Sequence, residues 1–286
     1  MQIRTDLALE QRERHTEIPK GVSSEEYIKG KTKITKIVIE TKEGEKALLK
    51  PKGSYITAEV PSFTDNVTDP QVISVIKNEL EKLIPNEGTV LVVGLGNRNI
   101  TPDALGPKVA SKILATRHIE KEILRLAGID KVRRVAAVST GVLGQTGIEA
   151  YDIIKGITDN IRLSAVIVVD ALASRRLQRL GRTVQISDTG IEPGAGVGNA
   201  RYEISQKTLG IPVIAIGVPT VVDGETLVSD LTDGRCRDIS QDGRQIIVTP
   251  REIDLLVDRA AALISDVINF TLQKDIDPSV IKEIMD

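Results

Sequence analysis

The sequence predicts an α/β fold: a mostly parallel open sheet flanked by helices, with an added N-terminal β-rich segment. Three observations carry this. The runs Val90-Leu91-Val92-Val93 and Val166-Ile167-Val168-Val169 are apolar at every position, as strands covered on both faces are. From Thr89 onward such runs alternate with stretches whose apolar residues recur at helical spacing. Ahead of them, residues 34–60 hold short strand patterns broken by turn residues.

In chain order, residues 1–30 are polar and charged without a clear period and read as an arm. Residues 31–60 read as accessory strands. Ile34, Ile37, Val38 and Ile39 mark the first, 47–49 is its hairpin partner beyond Glu43-Gly44-Glu45, and 55–60 is a third. A loop covers 61–69. Asp69 then caps a helix that begins at Pro70, where the missing N–H of proline has no partner to lose. Val72, Val75, Ile76, Leu80 and Leu83 form its apolar face. The core spans 89–286. Its strands are 89–94, 135–138, 165–170, 183–186 and 212–218, and its helices are 103–115, 147–161, 202–209 and 250–273. Asp277-Pro278 starts a short last helix. A single domain accounts for all 286 residues.

Composition narrows the function. Lys plus Arg is 38 against 40 Asp plus Glu, so there is no basic footprint for nucleic acid. Aromatic residues are 2%, too few for base-stacking platforms. No apolar run reaches membrane-spanning length and no signal core stands at the N-terminus, so a cytoplasmic protein is expected. The one cysteine, Cys236, fits a reducing compartment; it lies between Arg235 and Arg237 with no histidine nearby in sequence. Two histidines, His15 and His118, do not make a metal site of usual spacing, and no cofactor is expected.

The ends of the two apolar strands carry the chemistry. In open parallel sheets, ligands bind at the carboxyl ends of strands. The strand 89–94 leads through Gly94-Leu95-Gly96 and a polar loop containing Asn97 to Thr101-Pro102-Asp103, with Thr101 as helix cap and Asp103 in the first turn. The second strand ends directly on Asp170. An acid in a first turn also serves the helix dipole, and Asp170 could equally cap residues 171–177. Two acids on one rim nonetheless point to carboxylate chemistry, because a buried carboxylate is costly unless paired or protonated. Gly94-Leu95-Gly96 lacks the third glycine of a dinucleotide fingerprint, since Asn99 stands there. The loop 139–147, with Thr140, Gly141 and Gly144, can supply hydrogen bonds or serve as a plain connection. Asp188-Thr189-Gly190 copies the triplet of pepsin-like proteases, but only once and in an α/β context. The glycine-rich loop it opens, with Glu192, Gly194 and Asn199, reads as a binding loop.

At these residues the chain resembles the germination protease of spore-forming bacteria, the spore protease, as a compact clostridia-like member. The matching segments are Arg4-Thr5-Asp6-Leu7-Ala8, Pro61-Ser62-Phe63-Thr64-Asp65-Asn66, Gly94-Leu95-Gly96-Asn97 through Thr101-Pro102-Asp103-Ala104-Leu105-Gly106-Pro107, Thr140-Gly141-Val142-Leu143-Gly144-Gln145-Thr146-Gly147, Asp170-Ala171-Leu172-Ala173-Ser174-Arg175 and the stretch from Asp188 to Asn199. They follow the family order over nearly the whole chain.

The resemblance implies an endopeptidase made as a zymogen that starts the degradation of small acid-soluble spore proteins during germination. It implies a homotetramer in the forespore or spore core, acting on no membrane and no nucleic acid directly, with a core similar to the hydrogenase-maturation endopeptidases. The family's two acids map onto Asp103 and Asp170, with Asn97, Thr140, Gly141, Gly144, Glu192 and Gly194 supporting. Thr5-Asp6-Leu7-Ala8-Leu9-Glu10 is similar to the substrates' cleavage sites, so self-cleavage is expected between Asp6 and Ala8, with a propeptide of about residues 1–7. Two nearby carboxyls keep one proton between them, so one activates water and the other polarises the carbonyl. Which does which is not readable from sequence. The alternatives are a metallopeptidase of the hydrogenase-maturation type and a non-catalytic peptide-binding module. Neither His15 nor His118 follows a core strand, so a ligand set of two acids and a histidine is incomplete.

Overall fold

The computed structural model describes residues 5–65, 69–120, 131–197, 201–232, 235 and 246–285; Arg4, Asn66, Asn199 and Cys236 lie outside them. The elements run α1 (Ala8–Arg12), β1 (Val22–Lys29), β2 (Thr32–Ile39), α2 (Lys42–Leu48), β3 (Gly53–Glu59), α3 (Pro70–Glu81), β4 (Val90–Leu95), α4 (Leu105–Ala110), β5 (Val135–Gly141), α5 (Leu143–Thr146), α6 (Ala150–Asn160), β6 (Ala165–Ala173), β7 (Thr183–Ser187), α7 (Gln206–Leu209), β8 (Val213–Asp223), α8 (Gly224–Leu231), β9 (Ile247–Val248), α9 (Ile253–Leu272) and α10 (Pro278–Met285).

One sheet holds the described strands, in the order β1-β2-β3-β7-β8-β6-β4-β5, with β9 paired to the end of β8. β8, β6, β4 and β5 are parallel, and β4 and β6 are direct neighbours with Val90 opposite Ala165. The α/β class, the mostly parallel core and the added N-terminal strands are as expected; β7 and the N-terminal strands make the sheet as a whole mixed. β7 runs antiparallel to β8 and to β3. It follows β6 after residues 174–182, which hold only a 3-10 turn at Leu177–Arg179. That stretch is too short for the crossover a parallel strand needs.

The other departures lie near the N-terminus. Residues 5–30 are not an arm: 8–12 form α1 and 22–29 form β1, the hairpin partner of β2. β1 is mostly exposed at the sheet's edge, so its sequence shows no apolar period. Residues 42–48 are a helix instead of a strand, because the Thr41 side chain accepts from the Gly44 N–H and starts it. Asp69 caps α3 through the Gln71 N–H with Pro70 in its first turn, as expected.

Strand alternation sorts the core into two faces. On one, Ile34, Ile56, Ile167, Val169 and Ile216 join residues of α3, α4, α9 and α10 in the main cluster. On the other, Val166 and Val168 pack with Ile154 of α6 and Leu209 of α7. Further along that face, Ile37, Ile39 and Tyr55 pack with Ala8, Leu9 and Leu48 of α1 and α2. The two coverings stop short of each other. Asp170, Gly217 and Gln185 are cross-strand neighbours in the uncovered stretch, on β6, β8 and β7.

Helix α4 sits directly on the sheet because two glycines face each other. A Cβ built on Gly94 would lie 2.1 Å from Gly106 O, and one on Gly106 would lie 2.2 Å from Leu95 O. Backbone cannot yield as a side-chain tip can. Gly106→Ala is therefore expected to destabilise the chain by roughly 3 kcal/mol, read from the midpoint of chemical denaturation.

Candidate active site

Asp103 reaches the rim by a longer route than a helix start. After β4 the chain passes through Gly96, at φ +110°, into a loop and then a 3-10 turn, Thr101–Asp103. Thr101 lies inside that turn and is not the cap of α4; Ala104 holds that position. The Asn97 N–H donates to Asp103 Oδ2 at 2.7 Å, and a Cβ on Gly96 would come within 2.1 Å of Asp103 O. Only glycine fits there. Thr220 Oγ1 donates to Pro102 O at 2.8 Å and ties the turn to β8.

Asp170 is not the last residue of its strand. β6 continues to Ala173, so Asp170 sits within the ladder, 6% exposed, and caps no helix. Its Oδ1 accepts from the Ala171 N–H at 2.9 Å. Asp103 and Asp170 line one cavity of about 610 Å³, together with Asp6, Asn97, Gly141, Gly144, Glu192 and Gly194. Loss of water around Asp170 pushes its carboxyl well above the usual range, and the charges of Asp103 and Asp6 push it further, against the Ala171 N–H. Desolvation also raises Asp103, with the Asn97 N–H opposing.

The supporting residues divide. Asn97 orders the rim: its Oδ1 accepts from the Asn99 N–H and from Gln145 Nε2. Gly141, at φ +68°, Gly144, Glu192 and Gly194 line the cavity. Thr140 does not; its buried side chain turns back to donate to Gly141 O. Asp188 is structural, accepting from the Ser54 N–H at 2.7 Å.

The segment expected to be cut is no loose terminus. Leu7 and Ala8 are fully buried. The Asp6 N–H donates to Ala173 O, and Asp6 Oδ2 accepts from the Ala173 N–H. Gln185 of β7 clamps the next residues, its Nε2 donating to Asp6 O and its Oε1 accepting from the Ala8 N–H. Glu10, fully buried, accepts from the Arg175 and Arg176 N–H groups and from Thr5 Oγ1, and pairs with Arg179. Asp6 thus stands between the first cavity and a second, of about 980 Å³, that it also lines. Glu10→Gln leaves one carbonyl oxygen where two served and puts an amide against two N–H groups. A loss of about 3 kcal/mol in urea unfolding is expected.

Comparison with known proteins gives the family of the chain. The family model for germination protease matches residues 2–242. The chain belongs to the germination protease family. A germination protease of Caldanaerobacter subterraneus subsp. tengcongensis is 45% identical over 95% of this chain and 94% of its own. One from Clostridium tetani is 42% identical over 96% of each, and one from Oceanobacillus iheyensis is 48% identical over 81% of this chain and 67% of its own. A solved [NiFe] hydrogenase maturation protease, HycI, from Thermococcus kodakarensis aligns over 66% of this chain and 98% of its own, with a TM-score of 0.38 and 18% identity. As a germination protease the chain is an endopeptidase. No helix among the described residues is long and apolar enough to cross a membrane.

Among the described residues, no group of three or more His, Cys, Asp or Glu side chains is placed to hold a metal ion. His15 is bonded to Ala47 O and His118 is exposed, and neither lines the cavity that holds Asp103 and Asp170. Sequence reading missed Gln185 and Lys50. Gln185 carried a signal, a polar residue in the buried run Thr183-Val184-Gln185-Ile186-Ser187. Lys50 carried none, since it follows an exposed helix end.

Proposed function

We propose that the chain is a zymogen whose active form begins the degradation of small acid-soluble spore proteins, using Asp103 and Asp170 as a carboxyl pair. The observation that carries this is the shared cavity, in which burial and the charge of Asp103 raise the proton affinity of Asp170. Asp103, at the more open rim and bonded to an N–H, keeps its charge and takes a proton from water. Asp170 donates to the scissile carbonyl oxygen. The hydroxide adds to the carbon; the C–N bond then breaks as the proton gathered by Asp103 passes to the amine nitrogen and the former carbonyl oxygen returns its proton to Asp170. The reaction consumes one water and needs no resident cofactor. The working assembly is a homotetramer in the spore core, which light scattering of the purified chain checks.

The direct test is digestion of an acid-soluble spore protein with sequencing of the new ends. Cuts beside an acid and an apolar residue support the reading; an intact substrate counts against it. A chelator is expected to leave the rate unchanged. Loss on chelation, restored by a divalent metal, would favour a metallopeptidase instead.

The pH profile follows from the same pair. Both carboxyls are raised by desolvation, so both limbs of the kcat/KM bell are expected above the ordinary carboxylate range. Activity falls at low pH as Asp103 gains a proton and at high pH as Asp170 loses its own.

A further inference from the structure

The carboxylate of Asp6 is held in a built seat. Its Oδ2 accepts from the Ala173 N–H at 2.8 Å, and the Gly196 backbone faces it so closely that a Cβ there would lie 2.1 Å from the same oxygen. Across the seat, in the larger cavity, stands Lys50. Its ammonium is drawn to Asp6 and to Glu192 electrostatically, yet among the described residues it makes no hydrogen bond or ion pair. The chain brings it there by an uncommon turn. Leu49, which ends α2, takes the left-handed conformation at φ 52°, rare for a residue with a branched side chain. A lysine that lines the same cavity as a carboxylate held by a backbone N–H is the pattern of an anion-receiving site. Beside it, Gly217, between Asp170 and Gln185 in the sheet, has no side chain, and the Leu172 side chain packs over it.

We propose that Lys50, with the Ala173 N–H, forms the subsite that selects an acidic residue on the N-terminal side of the cleaved bond, a subsite that Asp6 fills in the intact chain. The inference rests on the peptidase reading of Asp103 and Asp170. Loss of residues 1–6 empties the seat, while Leu7 and Ala8 stay buried in the fold. The acid of an incoming chain then meets the same N–H group and the same cation. Its peptide bond is brought to the rim that Asp6 shares with Asp170.

Two measurements decide it. The first compares two peptides spanning residues 2–12 of this chain, one with Asp and one with Asn at position 6. The wild-type enzyme is expected to favour the Asp peptide by about ten-fold in kcat/KM. Lys50→Met brings that ratio near one, and Lys50→Arg retains most of it. A ratio unchanged in Lys50→Met overturns the proposal. The second needs no turnover. Full-length chains in an Asp103→Asn background, which keeps residues 1–6 attached, are melted with and without Lys50→Met and Asp6→Asn. Lys50→Met is expected to lower Tm by about 3 °C more when Asp6 is present than when Asn replaces it. Equal shifts overturn the proposal. If the wild-type enzyme cuts neither peptide, the peptidase reading fails, and the melting cycle still decides whether Lys50 serves the carboxylate seat.

Discussion

Asp170→Asn is expected to lower kcat/KM on a protein substrate by roughly a thousand-fold or more while the fold persists. The amide keeps an oxygen to accept the Ala171 N–H, so local geometry survives. It cannot give up a proton to a leaving oxygen. Asp103→Asn is expected to cost as much, because the two carboxyls act on one bond, and the double variant little more than either alone. Stability is expected to move the other way. The folded chain holds the Asp170 proton more tightly than the unfolded chain does. Its contribution is therefore complete at acidic pH and is lost as pH rises through the folded value. Asp170→Asn removes that dependence, so the variant gains most over wild type at neutral pH. Urea unfolding at two pH values reads this. A variant with full activity, or one that gains more at acidic pH, would sink the assignment.

The second large effect is all-or-none. Mass spectrometry of the chain under activating conditions is expected to show loss of residues 1–6 or 1–7. The same experiment with Asp103 and Asp170 both Asn is expected to show the intact chain. Cleavage that persists in the double variant, or a fully active enzyme that retains Met1, would exclude self-processing. The reason to expect it has changed with the structure. Exposed termini are cut because little backbone bonding opposes it. Here the backbone is bonded on both sides of Asp6, to Ala173 and to Gln185. What favours cleavage is position: the Asp6 carboxylate lies close enough to Asp170 to raise its pKa. Glu10→Gln, by loosening the loop after β6, is expected to slow processing as well as to lower stability.

Much of the fold is legible in the residues because burial on both faces leaves a mark on every position of a strand. β4 and β6 are legible as buried strands for that reason, and α3 from Asp69, Pro70 and its apolar spacing. Where an element is half exposed the mark fades. β1 shows no apolar period because it lies at the edge, and α2 was taken for a strand because its helix signal is a single threonine cap. The direction of β7 is not written in its own residues; the short link from β6 decides it.

The site divides in the same way. Local sequence determined that one acid follows a buried strand by a short glycine turn and that a second stands at the end of another buried apolar run. Tertiary structure alone decided that these acids share a cavity with Asp6, more than ninety positions from either, and with Lys50 close by. No local pattern encodes that meeting. It arises because the two helical coverings of one sheet face leave a gap, and the N-terminal strand-like segment is drawn into it by the hydrogen bonds of Ala173 and Gln185. The same enclosure removes water from the carboxyls. Their raised proton affinity is therefore a property of the assembled fold and not of the aspartates themselves.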